Sequence, residues 1–184
     1  MEYIEVCDEK GNPTGELVSR ARAHAEGKIH RTVHVWLYGK SGILFQKRAR
    51  CKDSHPGYWD VSSAGHIEPG ETHRAAAVRE IREETDLDVE EGDLLYIGDR
   101  PFVIISRNGR FIDNAICSVY LCKLTVPASC LRPDPAEVED LKMIPTEELR
   151  TAILDDDLYA GFVPHAPGYY LLIADLVDNL ESRC

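Results

Sequence analysis

Glu80, Glu83 and Glu84 are the residues of this sequence best suited to carry chemistry. They stand at i, i+3 and i+4 of a segment that is strongly helical by composition, with Ala75, Ala76 and Ala77 at its centre. That spacing puts three carboxylates on one helix face, within reach of one another. Three adjacent anions repel. A hard divalent cation, Mg2+ or Mn2+, offsets the repulsion and still has room for water and phosphate oxygens. The loop Gly65-His66-Ile67-Glu68-Pro69-Gly70-Glu71 runs into the helix. It brings backbone close to the carboxylates, so the Gly65 carbonyl is a candidate further oxygen ligand. Arg79 is expected to point off the carboxylate face and reach back to Glu71, tying loop to helix. A solvated acidic helix face is the competing reading of the same three glutamates.

The surrounding segments must position this helix and loop. Residues 3–6 and 16–18 flank a polar turn and read as a hairpin. Ser19 is placed to cap a short helix over 20–25 that Gly27 stops. Residues 31–38 alternate with period two: Val33, Val35 and Leu37 share one face, and Thr32, His34, Trp36 and Tyr38 share the other, which His30 continues. Residues 43–48 form the return strand. A long stretch, 51–70, carries Pro56, Gly57, Gly65, Pro69 and Gly70 and reads as irregular, as functional loops often are. The helix is expected over 71–85, two strands over 94–106 and 111–124, an extended segment over 138–144, and helices over 146–154 and 169–180. The last helix is expected to pack on its own domain. Strands and helices mix along the whole length, which argues for one α/β (α+β) domain.

Composition narrows the function classes. With 184 residues, 43% of them hydrophobic, the chain can bury one proper core. Acidic residues outnumber basic ones 32 to 21, a formal charge of −11, so the chain is expected to be a poor general binder of nucleic acid or anionic membrane, with room left for a local basic pocket. No apolar run reaches the about 18 residues of a membrane span. Met1-Glu2-Tyr3-Ile4-Glu5 lacks the basic start and apolar stretch of a secretory signal, so a cytoplasmic location is expected. The six cysteines form no CxxC pair and no zinc-type spacing, and read as reduced thiols.

The spacing from Gly65 through Glu71, Arg79-Glu80 and Glu83-Glu84 to Leu87 resembles the Nudix box at every defined position but one. Asp86 stands where that pattern has glycine, at a helix end that calls for a left-handed backbone; Asp tolerates this at a cost of roughly 1 kcal/mol. The resemblance implies an α/β/α sandwich with a mixed sheet. It implies one domain over 1–184: a hairpin and short helix at 1–29, a core at 30–155 and a C-terminal helix at 156–184. It also implies hydrolysis of a diphosphate linkage in a nucleoside diphosphate derivative or other organic diphosphate. Glu80, Glu83, Glu84 and the Gly65 carbonyl are the implied metal ligands, with Mg2+ or Mn2+ as cofactor, and Glu71 with Arg79 the implied structural pair. Glu83 or Glu84 is the first choice for general base; Glu137 and Glu139 are later candidates. The family often dimerises, although no apolar stripe here demands a second copy.

Upstream, Ile29-His30, Trp36-Leu37-Tyr38, Lys47-Arg48, Pro56-Gly57-Tyr58-Trp59 and Ala64-Gly65-His66 resemble the isopentenyl diphosphate isomerase branch of the same superfamily. That branch holds a metal on histidines, which adds His30 and His66 to the implied ligands. The isomerase also needs a cysteine just before its Gly-His pair and a glutamate on a later strand. Those positions are Ala64 and Ala115, and alanine moves no proton. Lys47 and Arg48, with Arg50 beside them, are candidates to attract substrate phosphates. Trp59, with Trp36, Tyr38 and Phe111, either lines a substrate pocket or fills the core. Three readings follow, in this order: a metal-dependent diphosphate hydrolase, an isomerase-like enzyme, and a non-catalytic diphosphate-binding protein.

Overall fold

The N-terminal residues pair with each other before the main sheet begins. In the computed structural model, which describes residues 2–182, β1 (Tyr3–Cys7) and β2 (Pro13–Ser19) form an antiparallel hairpin. Helix α1 (Arg20–Glu26) follows; the Ser19 side chain accepts from the Arg22 N–H, and Gly27 ends the helix at φ 62°. Next come β3 (His30–Gly39) and β4 (Gly42–Arg48). These two pair only where they meet, at Tyr38–Ile43 and Gly39–Gly42, and then diverge. Ser62 bridges the gap: its hydroxyl accepts from the Leu37 N–H at 2.8 Å and donates to the Leu44 carbonyl.

The stretch 51–70, expected to be irregular, contains two short strands, β5 (Trp59–Asp60) and β6 (Ser63–His66). They are too short and too rich in small residues to show a period, and pairing with longer partners holds them: β5 with β4, and β6 antiparallel to Thr32–Val35 of β3. Helix α2 (His73–Thr85) starts two residues later than expected because Thr72 caps it, accepting from the Ala75 N–H. Asp86 ends it at φ 56°, ψ 26°, the left-handed conformation.

Two long strands follow, β7 (Leu94–Ser106) and β8 (Phe111–Lys123), joined by a turn at Asn108-Gly109. They pair antiparallel, and β8 also runs parallel to β3 from His30–Ala115 to Tyr38–Lys123. Strand β9 (Val138–Ile144) pairs with β4. Helices α3 (Thr146–Leu154), α4 (Asp156–Tyr159) and α5 (Pro167–Glu181) complete the fold; α4, a single turn capped by Asp155, has no sequence period to announce it.

The two faces of β3 take different partners. Val33, Val35 and Leu37 pack with Ala76, Ala77 and Ile81 of α2. Trp36 and Tyr38 pack with Leu149 of α3 and Tyr169, Tyr170 and Ile173 of α5. The mixed sheet therefore lies between α2 on one side and α3 with α5 on the other, an α/β/α sandwich. Each large side chain buried in this way contributes about 1.5–3 kcal/mol. Cys7, Cys117 and Cys122 are buried thiols and Cys51 and Cys130 exposed ones; Cys184 lies outside the described residues. No helix among the described residues is long and apolar enough to cross a membrane.

Candidate active site

The box loop and α2 meet at the wall of a cavity of about 650 Å³. Gly65 is in contact with the Glu80 carboxylate: a Cβ there would stand 2.0 Å from Glu80 Oε1, so no other residue fits without expelling Glu80. Glu84 is buried. It accepts from the Ala64 N–H at 3.0 Å and from Gln46 Nε2 at 3.2 Å. Burial, with the neighbouring Glu80 charge, pushes the Glu84 carboxyl up to about 8. Burial pushes Glu80 up to about 7, against the pull of Arg79. Glu83 is exposed toward the cavity. Two carboxyls this reluctant to ionise, beside a third, are the donor set a divalent cation relieves, so the residues fit the Mg2+ or Mn2+ that the box implies.

Arg79 forks onto Glu71 through two hydrogen bonds of 3.0 Å and donates to the His66 carbonyl at 2.9 Å, tying the loop to α2. It does not point off the carboxylate face. Its Nη1 lies 2.7 Å from Glu80 and 3.1 Å from Glu83, because the long guanidinium is drawn among anions that nothing else neutralises.

A second cluster stands on the same cavity. His24 lies in the last turn of α1, His30 begins β3 and His66 ends β6, and their ligating nitrogens lie within 4.8 Å of one another. His30 Nδ1 contacts the Lys28 carbonyl at 2.9 Å and His24 Nδ1 the Ile112 carbonyl at 3.3 Å. A carbonyl only accepts, so both rings carry their proton on Nδ1 and turn a bare Nε2 inward. Those two Nε2 atoms and Asp113 Oδ1 are buried without a hydrogen-bond partner, although His30 and Asp113 approach to 3.2 Å. Converging lone pairs, with the far nitrogens fixed by backbone carbonyls, are the arrangement of a metal-ligating histidine set. The cluster is capable of coordinating a divalent cation. His66 meets Glu2 Oε1 at 2.8 Å instead. Burial lowers His24 to about 4 and lowers His66, which keeps the rings neutral and able to bind.

The remaining sequence candidates disperse. Arg48 lines the cavity and bonds Asp60 at 3.0 Å and Ser54. Lys47 and Arg50 both pair with Glu139, at 2.9 and 2.8 Å, off the cavity wall. Glu137 lines the cavity and pairs with Lys52. Trp59 packs against the core under α5, where Trp36 is fully buried. Phe111 reaches the cavity and stacks on His24, with ring centroids 4.1 Å apart. Sequence reasoning missed His24, Asp113, Arg20 and Lys52. A signal existed for Asp113 alone: it shares a strand face with Ala115, the position singled out for the absent glutamate. Ala115 pairs directly with His30.

A NUDIX domain model matches residues 28–165, three quarters of the chain. The chain belongs to the Nudix family. Among curated relatives, Nudix hydrolase 3 of Arabidopsis thaliana is 33% identical over 192 residues; the match takes in 100% of this chain and 24% of the plant protein, so the chain spans about a quarter of that relative's length. An isopentenyl-diphosphate Delta-isomerase of Citrobacter koseri is 30% identical over 153 residues, covering 83% of this chain and 82% of its own. Among solved structures, one from Deinococcus radiodurans superposes with a TM-score of 0.64 at 20% identity, covering 97% of this chain and 98% of that one, a likeness of fold.

Proposed function

We propose that this Nudix chain is a metal-dependent hydrolase of the diphosphate linkage in a nucleoside diphosphate derivative or other organic diphosphate. The observation that carries this reading is the frustrated set Glu80, Glu83 and Glu84, packed on Gly65 in a cavity that also presents the cations Arg20, Arg48 and Lys52. Glu80, Glu83, Glu84 and the Gly65 carbonyl would hold Mg2+ or Mn2+. The ion supplies neutralisation of phosphate oxygens and a lowered pKa for bound water. Arg20, Arg48 and Lys52 attract the diphosphate and orient it. Glu83, the exposed member of the three, takes the proton from the attacking water, while the buried Glu84 acts as ligand. Arg79 holds Glu80 and Glu83 in place and anchors the loop through Glu71. His24, His30, His66 and Asp113 would hold a second ion, and their nitrogen donors suit Mn2+ better than Mg2+. On this reading the partners are a small diphosphate and, in keeping with the family, a second copy of the chain; the location is cytoplasmic.

The histidine set and the Citrobacter relative favour a second reading, an isomerase-like enzyme. Against it stand Ala64, which lines the cavity, and the buried Ala115. Neither can move a proton to or from carbon. Product analysis separates the readings. A screen of organic diphosphates with Mg2+ and with Mn2+ is expected to release phosphate-containing products from at least one. Rearrangement of isopentenyl diphosphate without cleavage would put the isomerase first; no turnover with metal bound would leave a binding protein.

A further inference from the structure

Beside the main cavity lies a smaller one of about 210 Å³. Arg20, His24, Asp53 and Phe111 line both, so the two adjoin. Arg107 and Arg110 line the smaller one alone. Three guanidiniums thus surround one small space, in a chain whose formal charge is −11.

A carboxylate stands among them. Asp53 accepts from Arg20 Nη1 through Oδ2 at 2.9 Å and from Arg107 Nη2 through Oδ1 at 2.9 Å. The hydrogen bond from Arg20 holds the Asp53 carboxyl below its ordinary range, so Asp53 is an anion at neutral pH. Glu2 makes a looser contact with Arg20, at 3.4 Å, and is shared with His66. The Arg110 guanidinium has no hydrogen bond or ion pair among the described residues. The positive charge of this wall is therefore only partly offset.

The backbone is strained where it carries these side chains. Arg107 and Asn108 sit at φ 53° and 55°, the left-handed region that residues with a side chain rarely adopt. Arg107 nevertheless reaches Asp53 on the loop after β4, and Asp53 reaches Arg20 at the start of α1, so three separate elements converge on the site. Arg20 also lies 5.9 Å over the Phe111 ring.

Asp53 shows what the arginines select: an anion whose oxygens bridge two guanidiniums. A second carboxylate or a phosphodiester carries a single charge, as Asp53 does, and gains nothing by displacing it. A phosphate monoester carries nearly two charges and three terminal oxygens, enough to bridge Arg20 and Arg107 and to engage Arg110 as well. We infer that Arg20, Arg107 and Arg110 form a binding site for a phosphate dianion, which displaces Asp53 from them. Two sources supply that chemistry: a phosphate on the substrate, remote from the diphosphate and reaching past the shared wall, or inorganic phosphate on its own. Only the first source rests on the preceding reading of the main cavity.

The test begins with inorganic phosphate, titrated calorimetrically into the intact chain at about pH 8 without added metal, so that the ligand is mostly dianionic and no ion captures it elsewhere. Binding is expected with a Kd of about 1 mM or below. Arg107→Ala and Arg110→Ala are each expected to weaken it about tenfold, and Arg110→Lys less, since it keeps the charge and loses the fork. Asp53→Asn is expected to tighten binding several-fold by removing the competing carboxylate. No binding by about 20 mM overturns the inference. So does binding that Arg107→Ala and Arg110→Ala both leave intact. If Asp53→Asn fails to fold, Arg110→Ala decides, because Arg110 has no native partner to lose. A second arm identifies the source by comparing ADP with its 3′-phosphorylated counterpart. Tighter binding of the counterpart by about tenfold, lost in Arg110→Ala while ADP is unaffected, places the phosphate on the substrate. Equal binding of the two assigns the site to free phosphate. Neither arm requires cleavage: a chain that binds phosphate here and hydrolyses nothing sinks the hydrolase reading alone, and a hydrolase that binds no phosphate here sinks this inference alone.

Discussion

Two clusters of potential cation ligands line one cavity, and they are built in opposite ways. Glu80, Glu83 and Glu84 come from a single turn of α2 and need only the helix to meet. His24, His30, His66 and Asp113 come from α1, β3, β6 and β8 and meet only when four elements are in register. Their electrostatics mirror each other. Burial drives the Glu80 and Glu84 carboxyls toward the protonated form and the His24 and His66 imidazoles toward the neutral one. A cation reverses the first tendency and exploits the second. The contrast shows why a local site is read from spacing while a distributed site is read from coordinates.

The largest expected effects break the carboxylate side. Glu83→Gln and Glu84→Gln are each expected to lower kcat for diphosphate cleavage by about a hundredfold or more, with circular dichroism unchanged. Full activity in Glu83→Gln would remove it from the mechanism. Gly65→Ala is expected to displace Glu80, costing about 1–3 kcal/mol of stability along with the activity, while the imidazole cluster keeps its ion. A calorimetric titration that finds both sites intact in this variant would refute the packing argument.

On the other side, His30→Ala is expected to weaken Mn2+ binding at the imidazole cluster by at least about tenfold and to leave the carboxylate site unaltered. Loss of both sites together would mean that they are coupled. The two clusters also separate by pH in metal-free protein. Glu80 and Glu84 bind protons more tightly folded than unfolded, so their contribution is full below the ordinary 4.5 and is lost as pH rises through about 7 to 8. His24 binds protons less tightly when folded. Its contribution is full above 6.5 and is lost as pH falls through about 4. Urea melts across this range are expected to show both slopes, and Glu84→Gln to flatten the alkaline one. Added Mn2+ should flatten the alkaline slope as well. The smallest effect is Asp86→Gly, expected to stabilise by about 1 kcal/mol by relieving the left-handed backbone at φ 56°.

The same contrast explains what was legible. The period of two over 31–38, the caps at Ser19 and Gly27 and the box spacing are local patterns, and each corresponds to an observed element. Strands β5 and β6 escaped because two and four residues hold no period, and they exist only through their partners. At the site, Glu71 and Arg79 were paired correctly by loop geometry. The further contacts of Arg79 with Glu80 and Glu83 depend on uncompensated charge, which spacing does not display. His24 escaped for a different reason. Its nearness to His66 runs through a helix end and a strand end, and no interval in the sequence encodes that.

The parallel pairing of β3 with β8 joins residues some 85 positions apart, from His30–Ala115 onward. Such non-local closure is a slow event in folding, whereas a thirteen-residue helix forms early. The carboxylate face can therefore be assembled in a chain that is still mostly open. The imidazole set cannot, since Asp113 arrives only with β8. An ion bound by the histidines would act as a latch on the last long-range step, slowing unfolding more than it speeds folding.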